Sequence, residues 1–243
     1  MIIAILIAAQ ALLILYSGYK GRRSYIMGSC IFPNMAMIVI FAPFMITILG
    51  YQTNIGSIFY AAVVAGQIFV LERWGPLSAR ESMPLIYLRL VAILFTCMAI
   101  QALPVVPGNE TFAEAAKLVS RQQSRVVVAA FSAFALSQLA LILTYPYCRR
   151  TCGPLVAAFV GMIVCQLIDS PVFYIIAFYG SPDIANTTLL SMILVGFTAK
   201  VFFGALLMPA VFLGIGLAEA SDKPSSTMMK DERSWKMQRL TTR

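Results

Sequence analysis

The chain has 243 residues, of which 60% are hydrophobic and only 12% are charged, and its mean hydropathy is +0.85. This composition excludes a soluble globular domain, and several apolar runs of 18 or more residues predict a polytopic helical membrane protein. The net charge of +8 is concentrated at predicted helix ends and in the tail, a pattern that indicates membrane topology rather than nucleic-acid binding.

Seven hydrophobic runs predict an all-α transmembrane bundle. In chain order they cover about 2–19, 25–49, 55–71, 84–103, 125–147, 154–179 and 189–217. Pro43 is expected to kink the second helix. A charged loop with a Gly-Pro turn is predicted at 72–81, and a short amphipathic surface helix at 110–123.

The residue inventory argues against a metal site and against hydrolytic chemistry. The sequence has no histidine, which removes the commonest metal ligand and proton shuttle. Its five cysteines form neither a disulfide framework nor a set with metal-ligand spacing. It contains no P-loop and no hydrolase nucleophile elbow. We therefore expect no enzymatic activity, no metal site and no cofactor.

Two charged side chains fall inside the last two hydrophobic runs. Asp169 lies within the otherwise uncharged segment 154–179, and Lys200 is the one charge in 189–217. Asp169 is 11 residues before Gly180 and Lys200 is 11 after the start of its run, so both lie about 16 Å deep. An antiparallel hairpin predicts an ion pair at this depth. Either it is structural, holding two helices in register, or it marks a substrate or proton site.

Further polar side chains are predicted at the same level. Gln67 and Gln138 are 12 and 13 residues from the outer ends of the third and fifth predicted helices. Gln166 shares a helix face with Asp169, and Phe173 lies four residues beyond Asp169 on that face. We therefore expect a ligand cavity near the midplane. The alternative is that the amides form helix–helix hydrogen bonds and Phe173 only packs.

Positive charge is distributed unequally between the two predicted sides of the membrane. With seven helices, 14 Lys and Arg residues fall on the side of the tail and three on the other, with Lys200 between them. The positive-inside rule then predicts an outside N-terminus and a cytoplasmic C-terminus, in a bacterial inner membrane. Residues 1–217 form the predicted transporter-like domain and residues 218–243 a basic, disordered tail.

Several short blocks of sequence follow one another in a characteristic order. They are Gly50…Gly56…Tyr60, Glu72-Arg-Trp-Gly75 with Ala79-Arg80, Arg125 with Ala135-Leu-Ser-Gln138, Gln166-Leu-Ile-Asp169 with Phe173 and Ile176-Ala-Phe-Tyr-Gly180, and Lys200. The chain resembles the queuosine precursor transporter family, also called the vitamin uptake transporter family. The match runs from the first to the seventh predicted helix, excludes the tail and rests on this ordered set.

The resemblance implies an importer of 6–7 helices, similar in fold to the substrate-binding subunits of energy-coupling vitamin importers. It implies a queuine-like 7-deazaguanine substrate bound near Asn34, Gln138, Gln166, Asp169 and Lys200. This chemistry is consistent with the residues. A carboxylate can accept two hydrogen bonds from a guanine-like edge, amides can bind the remaining edge, and aromatic faces can stack on the ring.

The chain departs from the family pattern at two places. Gln67-Ile68 replaces a Thr-Asp or Ala-Asp pair, and Leu139-Ala-Leu-Ile142 replaces a polar or acidic cluster. These departures leave open a different substrate, a different energy source or loss of transport.

We interpret the chain as an importer of a small flat heterocycle that works by alternating access. One alternative is a substrate-binding subunit that needs an ATPase module and coupling subunits. Another is a non-transporting membrane protein whose Asp169–Lys200 pair is structural. The sequence leaves homo-oligomerisation open.

Overall fold

A computed structural model describes residues 2–41, 45–48, 51–102, 110–180 and 186–221. Its elements are α1 (Ile2–Lys20), α2 (Arg23–Tyr25), a π-helix (Ile26–Ile31), α3 (Phe32–Phe41), β1 (Met45–Ile48), β2 (Tyr51–Asn54), α4 (Gly56–Ala102), α5 (Glu110–Cys152), α6 (Pro154–Phe178) and α7 (Asn186–Ser221). By length and composition, five of these described helices could cross a membrane, namely α1, α4, α5, α6 and α7. The predicted all-α class is confirmed. The predicted tail lies outside the described residues from 222 onward.

The second predicted helix is wrong at its C-terminal end. Helical backbone ends at Phe41, and β1 then pairs antiparallel with β2, with Met45 opposite Asn54. The β-branched residues in both strands favour this extended pairing over a helix. Pro43, with its predicted kink, lies outside the described residues. The hairpin places Asn54 in the interior of the bundle, where that residue is buried.

The charged loop predicted at 72–81 is also wrong, because helical backbone continues on both sides of a single break. Gly75 has φ 82° and ψ 177°, a conformation that side chains rarely allow. Pro76 follows it, and its fixed φ suits the start of a helix. The break divides α4 into two arms, 56–74 and 76–102, which correspond to the third and fourth predicted helices.

The remaining helices follow the prediction more closely. The separate surface helix predicted at 110–123 is instead the first part of the 43-residue α5. Helix α6 begins at Pro154 after Gly153, which has φ 83°, and it ends within a residue of the predicted boundary. Helix α7 continues four residues beyond the predicted 217, to Ser221.

Glycines bring α7 close to its neighbours. A Cβ atom on Gly18 of α1 would lie 2.6 Å from the Cα atom of Gly214, so the two backbones cross in direct contact. A Cβ atom on Gly196 would lie 2.6 Å from the Tyr174 hydroxyl of α6, and one on Gly204 would clash with the sulfur of Met162. Small residues allow this approach. Because Gly196 and Gly204 lie four residues before and after Lys200, they hold that part of α7 against α6.

Polar contacts join the helix ends in two groups. Glu72 accepts hydrogen bonds from the Arg149 guanidinium at 3.0–3.1 Å and from the Tyr145 hydroxyl at 2.5 Å. Arg23 pairs with Glu81 at 2.7 Å. At the other group, Arg125 donates to the carbonyl oxygens of Ile176 and Tyr179 at the end of α6. These contacts link α4 to α5 and to α2 near the Gly75 break, and α5 to α6 at the opposite end.

The cluster around Glu72 is expected to stabilise the bundle. Replacing Glu72 with Gln should lower the melting temperature in detergent, because a carboxylate that is 15% exposed loses charge-assisted bonds. We expect the free energy of unfolding to fall by on the order of 1–2 kcal/mol. The loss stays this small because Arg149 is partly exposed and solvent screens its charge. Glu81→Gln is the matched control, since that side chain is 55% exposed and its ion pair should contribute little. Equal shifts in the two variants would contradict a stabilising role for the Glu72 cluster.

Candidate functional site

An ion pair between α6 and α7 lies inside the bundle. Lys200 Nζ is 2.5 Å from Asp169 Oδ2, and the two side chains are 4% and 2% exposed. Lys200 Nζ also lies 3.4 Å from the hydroxyl of Ser170. The ion pair predicted from the spacing around the α6–α7 turn is therefore confirmed, whereas its role stays a prediction.

Aromatic rings surround the ammonium group of this pair. The Lys200 Nζ atom lies 4.8 Å from the ring centroid of Tyr60, 5.5 Å from that of Phe173 and 5.7 Å from that of Tyr174. Ring faces attract cations electrostatically, so these contacts add to the attraction of Asp169. Lys200 is thus held from several directions at once.

Hydrogen bonds fix the two tyrosines of this group. The Tyr60 hydroxyl lies 2.7 Å from the Ser137 hydroxyl of α5. The Tyr174 hydroxyl accepts a hydrogen bond from Asn54 Nδ2 at 3.1 Å. The rings around Lys200 are therefore anchored by residues from β2 and α5.

A small cavity adjoins the ion pair. Its lining includes Met35, Ile38, Tyr60, Asp169, Phe173 and Lys200, contributed by α3, α4, α6 and α7. It has room for about one water molecule. A two-ring heterocycle can enter this place only if the surrounding helices or side chains move apart.

Buried polar atoms without a protein partner cluster among the predicted site residues. Within the described ranges, the atoms that lack a hydrogen bond include Gln67 Oε1, Gln138 Oε1, both amide atoms of Gln166, and Asp169 Oδ1. Each such atom costs roughly 1–3 kcal/mol if it stays unsatisfied. Buried polar groups are normally bonded, so each of these atoms can accept a water or a polar ligand as a partner. Of these residues, Asp169 lines the cavity.

The other predicted residues divide into two groups. Gln138 Nε2 lies 3.8 Å from the Cys165 sulfur, which in turn lies 4.0 Å from the Tyr60 hydroxyl, so Gln138 contacts the surroundings of the pair. None of the four predicted amides, Asn34, Gln67, Gln138 and Gln166, lines the cavity as far as the described part of the chain defines it.

Asn34 and Gln67 bond to neighbouring segments instead. Asn34 Nδ2 donates to Gln10 Oε1 at 2.8 Å and to the Cys30 carbonyl oxygen at 2.7 Å. Gln67 Nε2 donates to the Ser82 hydroxyl at 3.4 Å, which joins the two arms of α4. Their assignment as substrate residues stays a prediction.

Sequence reasoning missed four residues of the site. Tyr60 belongs to a family block, and this could have identified it, but no role was predicted from that block. Ser170 and Tyr174 could have been found because they neighbour Asp169 and Phe173 along α6. Asn54 carries no comparable signal, because its position depends on the β1–β2 hairpin.

The long apolar helices and the buried ion pair indicate the class of protein. Long apolar helices around a buried carboxylate–ammonium pair define a multi-pass membrane protein with a polar centre, an arrangement typical of transporters. Residues 54–214 match the family described as "Putative vitamin uptake transporter". The chain therefore belongs to the vitamin uptake transporter family, and the predicted family membership is confirmed. No curated protein and no solved structure matches the chain.

The family match covers most of the candidate site. Its range, 54–214, runs from the end of β2 into the second half of α7. It includes Asn54, Tyr60 and the Asp169–Lys200 pair, whereas Asn34 lies outside it.

Proposed function

We propose that this family member imports a small flat heterocycle of the 7-deazaguanine class, a queuosine precursor, across a bacterial inner membrane. The observation that carries the proposal is the hydrogen bonding of the Asp169 carboxylate. Asp169 lines the cavity, and one of its carboxylate oxygens bonds Lys200, while Oδ1 is buried with no partner in the described structure. A guanine-like edge, with a ring N–H and an amino group, supplies donors for such an oxygen.

The surroundings of Asp169 suit the remaining parts of such a ligand. Phe173 and Tyr60 line the same cavity and can stack on a flat ring. Gln166 has both a donor and an acceptor without partners among the described residues, and Gln138 has an acceptor. We assign these amides to the ring atoms that Asp169 does not reach.

The size of the cavity supports transport by alternating access. Because the space beside Asp169 holds about one water molecule, substrate binding requires the helices to separate. Opening toward one side and then the other would move the substrate past the ion pair.

We place the end of the bundle that carries Glu72 and Arg149 on the cytoplasmic side. The positive-inside rule supports this orientation, with the N-terminus outside and the tail of 218–243 inside. Residues 1–217 then form the transporter domain. Reaction of single introduced cysteines with a membrane-impermeant thiol reagent would test the orientation.

The direct test is complementation. The chain is expressed in a bacterium that can neither make queuosine precursors nor import them, a 7-deazaguanine is supplied, and queuosine in tRNA is measured. We expect modification to be restored relative to empty vector. Absence of modification, despite verified insertion of the chain into the membrane, would contradict the proposed function.

Gln166 offers a test that separates binding from stability. We expect Gln166→Leu to reduce uptake while raising the melting temperature, since both of its buried amide atoms lack described partners and leucine is of similar size. Asn34→Leu is the matched control and should lower the melting temperature, because its amide bonds are made. If Gln166→Leu lowered the melting temperature as much as the control, the amide would be structural.

A further inference from the structure

We propose that Arg89 binds the phosphate group of an acidic phospholipid in the cytoplasmic leaflet of the membrane. Arg89 belongs to the second arm of α4, 76–102, and its side chain is exposed. The choice of leaflet rests on the orientation given under the proposed function. The lipid site itself depends only on the membrane-spanning fold, not on the substrate.

Arg89 interrupts a stripe of exposed apolar side chains on this arm. Leu85, Leu88 and Phe95 are 51%, 65% and 64% exposed, and Ala92 is exposed as well. These residues follow one another at three- and four-residue spacing around Arg89, so they share one face of the helix. On a membrane-spanning helix, an outward apolar face contacts the lipid chains. Arg89 therefore presents its charge to the lipid and not to the interior of the bundle.

The depth of Arg89 keeps the lipid phosphates within reach of its side chain. The apolar segment of this arm is predicted to begin at about 84, so Arg89 lies roughly 8 Å inside it. A long arginine side chain can extend to the interface from this depth. Glu81, at the predicted cytoplasmic end of the arm, is about 12 Å away along the helix and pairs with Arg23.

The charge of Arg89 is not neutralised by the protein. Arg89 forms no ion pair with an acidic side chain of the described chain, whereas Arg23, Arg149 and Lys200 each do. A cation in the hydrocarbon region is costly unless a counterion or water reaches it. Headgroup phosphates are the anions of the lipid itself, and the cytoplasmic leaflet carries the acidic lipids. An acidic phospholipid therefore supplies the counterion that the protein lacks at this position.

Phe32, the first residue of α3, holds the guanidinium group of Arg89 in place. The ring centroid of Phe32 lies 4.2 Å from Arg89 Cζ, which is a cation–π contact. A guanidinium carries five N–H donors in a planar fork, so it can contact the ring and still donate two parallel bonds to phosphate oxygens. Because α3 also contributes Met35 and Ile38 to the cavity lining, a lipid bound here would hold α3 against α4 beside the candidate site.

Lipid competition on the purified wild-type chain tests the proposal. The chain is reconstituted with equal amounts of phosphatidylglycerol and phosphatidylcholine, and native mass spectrometry counts the lipids that stay bound. We expect phosphatidylglycerol to be retained at least about fivefold more often, the ratio that one cation near an anionic lipid surface produces. Added phosphatidylglycerol should also raise the melting temperature in detergent.

A soluble headgroup analogue separates a lipid from a free phosphate. Glycerol 3-phosphate carries the same phosphate chemistry without acyl chains, so we expect it to leave the melting temperature unchanged. An equal rise with glycerol 3-phosphate and with phosphatidylglycerol would show a site for soluble phosphate, and it would overturn the assignment to lipid.

Three variants test whether Arg89 forms the site. We expect Arg89→Gln to lower the retention ratio to about one, the value for no preference. Arg89→Lys should give an intermediate ratio, because lysine keeps the charge and loses the planar fork. Arg80→Gln is the matched control, since it removes the same charge from an exposed residue of the same helix, nine residues nearer the cytoplasmic end. The control should retain the preference for phosphatidylglycerol.

The retention ratios decide the proposal without any measurement of transport. An unchanged ratio in folded Arg89→Gln would overturn it. An equal fall in Arg89→Gln and Arg80→Gln would overturn it as well, because the lipid would then follow the positive charge of the whole surface. Absence of 7-deazaguanine uptake would contradict the proposed function while leaving the lipid site untouched, so the two failures are distinguishable.

Discussion

Uptake of a 7-deazaguanine is expected to fall to the empty-vector level when Asp169 is replaced by asparagine. The substitution keeps the shape of the side chain, but it removes the charge that holds Lys200 at 2.5 Å. A substrate that donates to Asp169 would lose a charge-assisted hydrogen bond, roughly 1.5–3 kcal/mol. The ammonium of Lys200 would also be left unpaired and buried, at a cost of about 3–5 kcal/mol in stability.

Both effects reduce uptake, so the measurement must separate them. Uptake is normalised to the amount of folded protein in the membrane, and the melting temperature is recorded for each variant. The double variant Asp169→Asn/Lys200→Met should recover much of the lost stability without recovering uptake of the 7-deazaguanine. Leu167→Ala is the matched control on α6, because Leu167 is 61% exposed on the outer surface of the bundle. Unchanged uptake in Asp169→Asn would disprove the site.

Replacing Gly18 with alanine is expected to lower the stability of the bundle clearly. The added Cβ atom would lie 2.6 Å from the Cα atom and 2.7 Å from the carbonyl carbon of Gly214. Backbone atoms cannot rotate away as a side chain can, so α1 and α7 would have to separate. Overpacking of this kind costs typically about 1–3 kcal/mol, and more when backbone must move.

The same change should affect transport, because α7 also carries Lys200. The melting temperature and the yield of monodisperse protein in detergent measure the loss of stability. Gly216→Ala on α7 is the matched control, since no described atom other than the nearby backbone of its own helix and its chain neighbours lies within 4 Å of its Cβ position. We expect the control to keep wild-type stability. If Gly18→Ala were as stable as Gly216→Ala, the close crossing of α1 and α7 would be wrong.

The sequence predicted the elements whose signals are local. Segments 154–179 and 189–217 are long, apolar and nearly uncharged, and such runs have few alternatives to membrane helices. A short polar turn between them makes the hairpin antiparallel, so the depths of Asp169 and Lys200 followed from residue counting alone. This is why their ion pair could be predicted without any knowledge of the other helices.

Predictions failed where the local signal was ambiguous. The apolar residues before position 49 suit a buried strand as well as a helix, and periodicity cannot separate the two over so short a run. At 72–81 the charges and the Gly-Pro pair indicated a loop. The backbone needed only one residue, Gly75, to change direction between two helical arms.

By itself, then, the sequence determined the membrane class, the all-α fold, the family and the ion pair, because each depends on hydrophobic length, motif order or spacing within one hairpin. Only the tertiary structure decided which side chains surround that pair. Asn54 meets Tyr174 from 120 residues away, and Tyr60 meets Ser137 from 77 residues away. Such contacts depend on how separate helices pack, which no pattern within a single segment encodes. The same packing decided that Asn34 and Gln67 bond to neighbouring segments, while Asp169 Oδ1 is buried without a partner in the described chain.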